Sequence, residues 1–437
     1  MYFLYSLLLA LGFALLLPRF LLDLARHGKY AAGFRERTGS LPPLDAPKGK
    51  KIIWLHCVSV GETQAARPLA RAILEAFPAH ALVVSTTTET GQRVAREAFA
   101  GVAARVFYFP FDWAWSVRRA LRAVNPSAVL VIETELWPRF FRECRARGVP
   151  VALVNGRISQ TSFRRYRRIR FFIRRVVSDL SLAAMQSEQD AARIRALGLD
   201  DARVKVSGNV KFDSEVDAGA QRLTDELRGR FHFGNGRPLV AAASTHAPEE
   251  RVVLDAFKEV VGSEPANARP RLLIAPRHPE RFAEVAALVE ASGLTWSRRA
   301  APPNDADASS DVVLLDTVGE LRAVYPLTDV VFVGGSVAPK GGHNILEPAA
   351  AARCVVTGAH TFNFNAITKA FLERDALVQL PEVDAALAAP VLAGVLRELL
   401  NDRERRARLG ENARRALDEN RGATARTVEL LAPVLSR

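Results

Sequence analysis

The sequence predicts an α/β protein of two doubly wound halves behind an apolar N-terminal segment. Three observations carry that reading. Short runs that are apolar throughout, rather than alternating, recur along the chain, as strands of a parallel sheet covered on both faces require. Helically spaced stretches such as RPLARAILEAF and DWAWSVRRALRAV separate them, which implies repeated right-handed crossovers. The rhythm pauses once, over residues 208–237, and restarts; 437 residues are in any case too long for one compact core.

The chain opens on MYFLYSLLLALGFALLL, residues 1–17, which carries no charge and runs into Pro18, Arg19 and a further FLL. It is just short of the roughly 20 residues of a full span. A basic n-region and a small-residue cleavage site are both missing. Residues 1–22 therefore read as an uncleaved membrane anchor, spanning or inserted in one leaflet, with a buried N-terminal helix as the alternative. Arg19, Arg26, Lys29, Arg35 and Arg37 follow the apolar run, so the positive-inside rule keeps the body of the protein in the cytoplasm. A basic connector over 23–48 leads to the first half, residues 49–212.

In that half, strands are expected at 51–56, 81–87, 105–109, 128–133, 150–154, 181–186 and 203–207. A linker over 213–237 precedes the second half, 238–437, with strands at 238–244, 271–276, 312–316, 329–335 and 354–358 and an arginine-rich helical end. The polar stretch SRRAAPPNDADASSD, 297–311, reads as an exposed loop, and its Asp305-Ala-Asp307 as a solvated pair. With no HExxH and no Cys/His ligand spacing, no metal is expected. Cys57, Cys144 and Cys354 lie far apart and read as buried thiols.

Sixty Lys and Arg against 47 Asp and Glu leave a formal charge of +13. That excess favours an anionic partner: nucleic acid, an anionic membrane face or a phosphorylated substrate. RRYRRIRFFIRR, residues 164–175, concentrates seven arginines among aromatic and aliphatic residues. A solvated helix face is the plain reading. Beside an N-terminal anchor, a basic amphipathic helix suits a membrane surface and a phosphorylated lipid better than nucleic acid, for which no aromatic platforms line up.

Polar residues gather where the strands end. Ser59, Gly61 and Glu62 follow the first strand; Thr86, Thr87, Thr88, Glu89 and Gly91 the second; Glu133, Thr134 and Glu135 the fourth; Asn155 and Arg157 the fifth; Ser207, Gly208, Asn209 and Lys211 the last. Ser, Thr and Asn there are ordinary helix caps, but four acids and two cations on one rim exceed what capping needs. Glu62 is either a helix-start acid favoured by the macrodipole or a base facing a cleft. Pro68 predicts a kinked or late-starting helix after it. In the second half PRHPERF, DTVGEL and VGGSVAPKGGHNILEPAA follow strands. The glycines allow a phosphate close to the backbone, NILEP begins a helix, and Glu347 is suited to accept from ribose hydroxyls.

In its order, the series HCVSVGET, STTTETG, YFPFD, IETELWP, NGRIS, QSEQDAARIRALG, GNVKFD, STHAPEE, PRHPERF, VGEL and VGGSVAPKGGHNILEP resembles the lipopolysaccharide 3-deoxy-D-manno-octulosonic acid (Kdo) transferases, from the N-terminal segment to about residue 420. The resemblance implies a GT-B fold, two Rossmann-like domains facing a cleft, on the cytoplasmic face of a bacterial inner membrane. It implies inverting transfer of Kdo from CMP-Kdo to the lipid A precursor, lipid IVA, with no cofactor. By the same resemblance Glu62 is the general base, while Glu133 and Lys211 stabilise the transition state. The CMP contacts then fall on Pro276, Arg277, Val318, Gly319, Glu320, Asn344, Ile345, Leu346 and Glu347. Gly156 and Ile345 stand where the family often has Ala and Pro. Two other classes stay open: a GT-B enzyme using a UDP-sugar, as transferase or epimerase, and a non-catalytic membrane-tethered polyanion-binding protein.

Overall fold

The computed structural model describes residues 1–27, 33–41, 44, 47, 49–213, 220–262 and 269–436. The chain forms two units, Met1–Ser214 with Asn420–Arg437, and Glu215–Glu419.

The first unit is built on β1 (Lys51–His56), β2 (His80–Thr86), β3 (Ala103–Tyr108), β4 (Ala128–Ile132), β5 (Val151–Gly156), β6 (Leu182–Met185) and β7 (Val204–Val206). They pair in parallel in the order β3-β2-β1-β4-β5-β6-β7. The central strands are buried on both faces, which is why they read as unbroken apolar runs. From β1 the chain winds outward through β2 and β3, then returns to β4 on the other side. The strand order therefore reverses between β1 and β4, and at such a point the loops at the carboxyl ends part to leave a binding crevice.

The second unit repeats the scheme with β8 (Leu239–Thr245), β9 (Arg271–Pro276), β10 (Trp296–Arg298), β11 (Val312–Leu314), β12 (Val330–Val333), β13 (Cys354–Thr357) and β14 (Val378–Gln379). Their order is β10-β11-β9-β8-β12-β13-β14, so the reversal falls between β8 and β12. The expected parallel α/β architecture is present in both units. β10 and β14, of three and two residues, escaped the sequence because so short a pairing leaves no pattern. All three cysteines are free and buried.

Several expectations need correction. The N-terminal segment is a helix, Tyr2–His27, but among the described residues no helix is long and apolar enough to cross a membrane. One side of this helix packs along the first unit. The Tyr2 hydroxyl donates to Asp179 (3.0 Å) and that of Tyr5 to Asp112 (2.8 Å), while Phe13 sits edge-on to Trp113. Leu8, Leu11, Leu15 and Leu16 on it stay exposed. Lys29, of the expected basic connector, lies outside the described residues.

The C-terminal helix Ala423–Leu435, expected with the second half, packs on the first unit. Ala423, Leu431 and Leu435 join the core beside β1, and Asp213 accepts from the backbone N–H groups of Gly422 and Thr424 (2.7 and 2.5 Å). The stretch 297–311 is not a free loop either. Its Asp307 is buried, caps a short 3₁₀ turn with Asn304, and accepts from Arg230 at 2.7 Å. Pro68 neither delays nor ends its helix, which runs from Val60 to Ala76.

Candidate active site

In the first unit the expected catalytic residues stand on loops at the carboxyl ends of β1, β4 and β7. Glu62 occupies the first turn of Val60–Ala76, whose N-cap is Ser59. The Glu62 N–H donates to Ser59 Oγ (3.2 Å); the Ser59 hydroxyl donates back to Glu62 Oε1 (2.8 Å), and the Val58 N–H donates to Oε2 (2.8 Å). Glu62 is thus a helix-start acid and a buried carboxylate at once, 7% exposed. The cap fixes its rotamer. Burial raises its carboxyl above the usual range; the Val58 N–H opposes this, and the charge of Glu133 adds to it.

Glu133 follows β4 with φ of 56°, a left-handed backbone that a non-glycine residue adopts only when its surroundings hold it there. Its side chain accepts from Lys211 Nζ at 3.0 Å. Lys211 rides on a 3₁₀ turn, Val210–Asp213, whose last residue is clamped by the C-terminal helix described above. That helix therefore helps to position a catalytic candidate of the first unit. Asn155, also left-handed, accepts from the Val210 N–H and ties the end of β5 to the same turn. Lys211 lowers the Glu62 carboxyl while Glu133 raises it, so the structure brings all three predicted residues into one electrostatic neighbourhood.

A fourth member was named in the sequence but given no role. Glu135 is half-buried, and its carboxyl rises to about 7, chiefly through burial and then through the charges of Glu62 and Glu133.

In the second unit the residues expected at the nucleotide gather at the carboxyl end of its sheet. Pro276 closes β9 and Arg277 is exposed just after it. Val318 and Gly319 lie exposed beyond β11, and Glu320 is paired with Arg299 (2.7 Å). Asn344 Oδ1 accepts from the Leu346 N–H (3.1 Å) and shapes the start of the helix Leu346–Ala350. Ile345 and Leu346 are buried. Glu347 accepts from Arg322 (2.9 Å).

The glycine-rich loop after β12 does something else than foreseen. Its amides converge on Glu249, which is 0% exposed. Oε2 accepts from the N–H groups of His246 (3.0 Å) and Gly335 (2.7 Å), and Oε1 from those of Ser336 (2.9 Å), Val337 (2.9 Å) and Ala338 (3.1 Å). The anion this loop cradles is the protein's own carboxylate. Gly334 makes that possible: a Cβ there would lie 2.8 Å from Glu249 Oε2 and 2.7 Å from the Ser244 carbonyl oxygen. Nothing in STHAPEE distinguishes Glu249 from an ordinary first-turn acid. Among the described residues no group of three or more His, Cys, Asp or Glu side chains is arranged to hold a metal ion.

Two parallel-sheet α/β units of this layout define the GT-B class of fold. A solved UDP-GlcNAc 2-epimerase from Neisseria meningitidis shares it with a TM-score of 0.58 at 11% identity, over 88% of this chain and 100% of that one. The family model for 3-deoxy-D-manno-octulosonic-acid transferases matches residues 32–214. The 3-deoxy-D-manno-octulosonic acid transferase of Haemophilus influenzae is 36% identical across 96% of this chain and 93% of its own length. That of Bordetella pertussis is 34% identical across 89% and 87%. The chain belongs to the Kdo transferase family.

Proposed function

We propose that this chain transfers Kdo from CMP-Kdo to the lipid A precursor lipid IVA, inverting the anomeric centre, with Glu62 as general base. The observation that carries the reading is the Glu62 carboxylate, buried, held by its cap and raised in basicity beside the Glu133–Lys211 pair. An acceptor hydroxyl is a weak nucleophile at neutral pH. As its oxygen bonds to the anomeric carbon, its proton passes to Glu62, and the bond from that carbon to the phosphate oxygen of CMP breaks. Glu133, held by Lys211, offers negative charge to the oxocarbenium-like carbon of the transferred group, and Lys211 offers positive charge to its carboxylate. Arg277, exposed after β9, and the turn at Asn344 receive the phosphate. In this reading the reaction needs no resident metal or organic cofactor.

In this reading the acceptor is an acylated, phosphorylated glycolipid, and two surfaces of the first unit suit it. The exposed leucines of Tyr2–His27 form one. The other is 164–175, folded as Gln160–Arg168 and Arg170–Val177, with its arginines and Phe171 exposed and Phe172 against Tyr2 and Tyr5. Apolar surface beside clustered arginine favours an anionic membrane face. We therefore place the enzyme on the cytoplasmic face of a bacterial inner membrane, lying on it through this helix.

Mass spectrometry of lipid IVA incubated with CMP-Kdo tests the function, with wild type beside Glu62→Gln. The expected result is a gain of one or more Kdo units that the variant abolishes. Transfer by both proteins would remove Glu62 as the base, and transfer by neither, with both folded, would remove the acceptor or donor assignment.

A further inference from the structure

Three histidines stand at the reversal point of the second sheet: His246 after β8, His278 after β9, and His343 in the glycine-rich loop after β12. His246 Nε2 and His343 Nε2 are 2.8 Å apart. Their rings are coplanar within 5° and their centroids 5.0 Å apart. That separation nearly equals the N···N distance plus the two ring radii, so the imidazoles meet end to end in one plane. Two lone pairs cannot face each other at this distance; one nitrogen carries hydrogen and donates to the other. Nor do the two nitrogens converge on a third point, as ligands of one metal would. Gly335 makes room for the pair, since a Cβ there would lie 2.8 Å from His343 Cδ2 and 3.6 Å from His246 Cδ2.

Charges of both signs stand around the pair. His278 and Arg277 from the β9 loop and Lys340 from the β12 loop disfavour a further proton on it, and Glu250 favours one. The nearby acids are engaged: Glu249 by five amides, Glu250 by Arg281 (2.6 Å), and Glu280 with His278 at 3.5 Å. Burial first, then His246, Arg277 and His278, push His343 down to about 4; burial first, then His278, Lys340 and Arg277 against Glu250, lower His246. Both rings are only partly buried, so a ligand can reach them.

We propose that His246 and His343 form a proton-sharing latch for an anionic group of the donor, and that seating this anion draws one proton from solvent onto the pair. In the neutral pair two hydrogens serve four ring nitrogens: one in the shared Nε2–H···Nε2 bond, one on a single Nδ1. The incoming proton bonds to the lone pair of the other Nδ1. The shared bond survives, the pair carries one positive charge, and both Nδ1–H groups become donors. Phosphate and sugar carboxylate share the chemistry that would trigger this. The inference rests on the reading of the second unit as the donor site.

Calorimetric titration of the full detergent-solubilised chain tests it, in non-phosphate buffers of different ionisation enthalpy and at a pH above the ordinary histidine value of about 6.5. Cytidine, CMP and intact CMP-Kdo are the ligands. The expected result is close to one proton taken up with CMP and none with cytidine, which assigns the phosphate; uptake with CMP-Kdo alone assigns the carboxylate. His343→Gln and, independently, His246→Asn should abolish uptake and weaken anion binding about tenfold, the share of one charge-assisted hydrogen bond. Binding of both CMP and CMP-Kdo with no proton uptake by wild type, or uptake unchanged in both variants, overturns the latch and leaves the donor site standing. Failure of the folded protein to bind either nucleotide overturns both.

Discussion

Glu249→Gln is the substitution with the largest consequence that the structure allows to be worked out. Five backbone N–H groups converge on the two carboxylate oxygens, three on Oε1 and two on Oε2. A glutamine fits best with its carbonyl toward Ser336, Val337 and Ala338. Its NH2 then faces the amides of His246 and Gly335, donor against donor, in a site without exposure. Two buried N–H groups without acceptors cost about 1–3 kcal/mol each, so a loss of about 4 kcal/mol is expected. Lost charge on the other three bonds acts in the same direction. Hydrogen exchange read by peptide is the assay. Protection of 334–342 should fall by about a thousandfold, the equivalent of that energy, while β1 and β4 in the other unit keep theirs. Gly334→Ala attacks the same nest from the backbone side and should give the same local signature. Because His343 and Asn344 ride on this loop, CMP affinity should fall with protection. Protection within a few-fold of wild type in Glu249→Gln would refute the account of the loop as one organised by an internal carboxylate.

Ser59→Ala separates the two roles of Glu62. It removes the cap but leaves the carboxylate, so unfolding measurements should show a loss of about 1 kcal/mol with turnover retained in part; a loss of turnover as complete as in Glu62→Gln would mean that the cap, not the base, is what the reaction needs. The acid limb of the pH–rate profile supplies the other check. Glu62 must be ionised to accept a proton and burial holds its carboxyl up, so kcat/KM should fall as pH drops through a value above the usual glutamate range of about 4.3. Glu135, raised to about 7 by burial and then by the charges of Glu62 and Glu133, loses its proton after Glu62 has ionised. Glu135→Gln should therefore leave that limb in place, and a shifted limb would show that the two carboxyls share one titration.

The parallel architecture was legible because buried parallel strands have one signature, unbroken apolar runs of ordinary length. Where that signature shortens to two or three residues, at β10 and β14, it vanished. The destination of Ala423–Leu435 was equally hidden, since an amphipathic helix advertises an apolar face but not which sheet it covers. The N-terminal helix misled for a related reason. Its uncharged run reads as a membrane anchor, spanning or inserted in one leaflet, yet Tyr2 and Tyr5 are hydrogen-bonded to Asp179 and Asp112, and no local pattern reveals such long-range partners.

The sharpest limit lies in two glutamates that look alike in the sequence. Glu62 and Glu249 both sit in the first turn of a helix after a central strand, one in SVGET and the other in HAPEE, and both are buried. The difference lies in what approaches their oxygens. Glu249 takes five amides, which occupy both of its oxygens. Glu62 takes one amide and one hydroxyl and is raised by burial and by Glu133, so its oxygens keep lone pairs for a proton. Glu249 is locked by the loop around it, while Glu62 is left open to a ligand. That count of donors depends on how loops distant in the chain fold back, as 335–338 folds over Glu249. Motif spacing can name both acids as candidates, and only the folded loops decide between them.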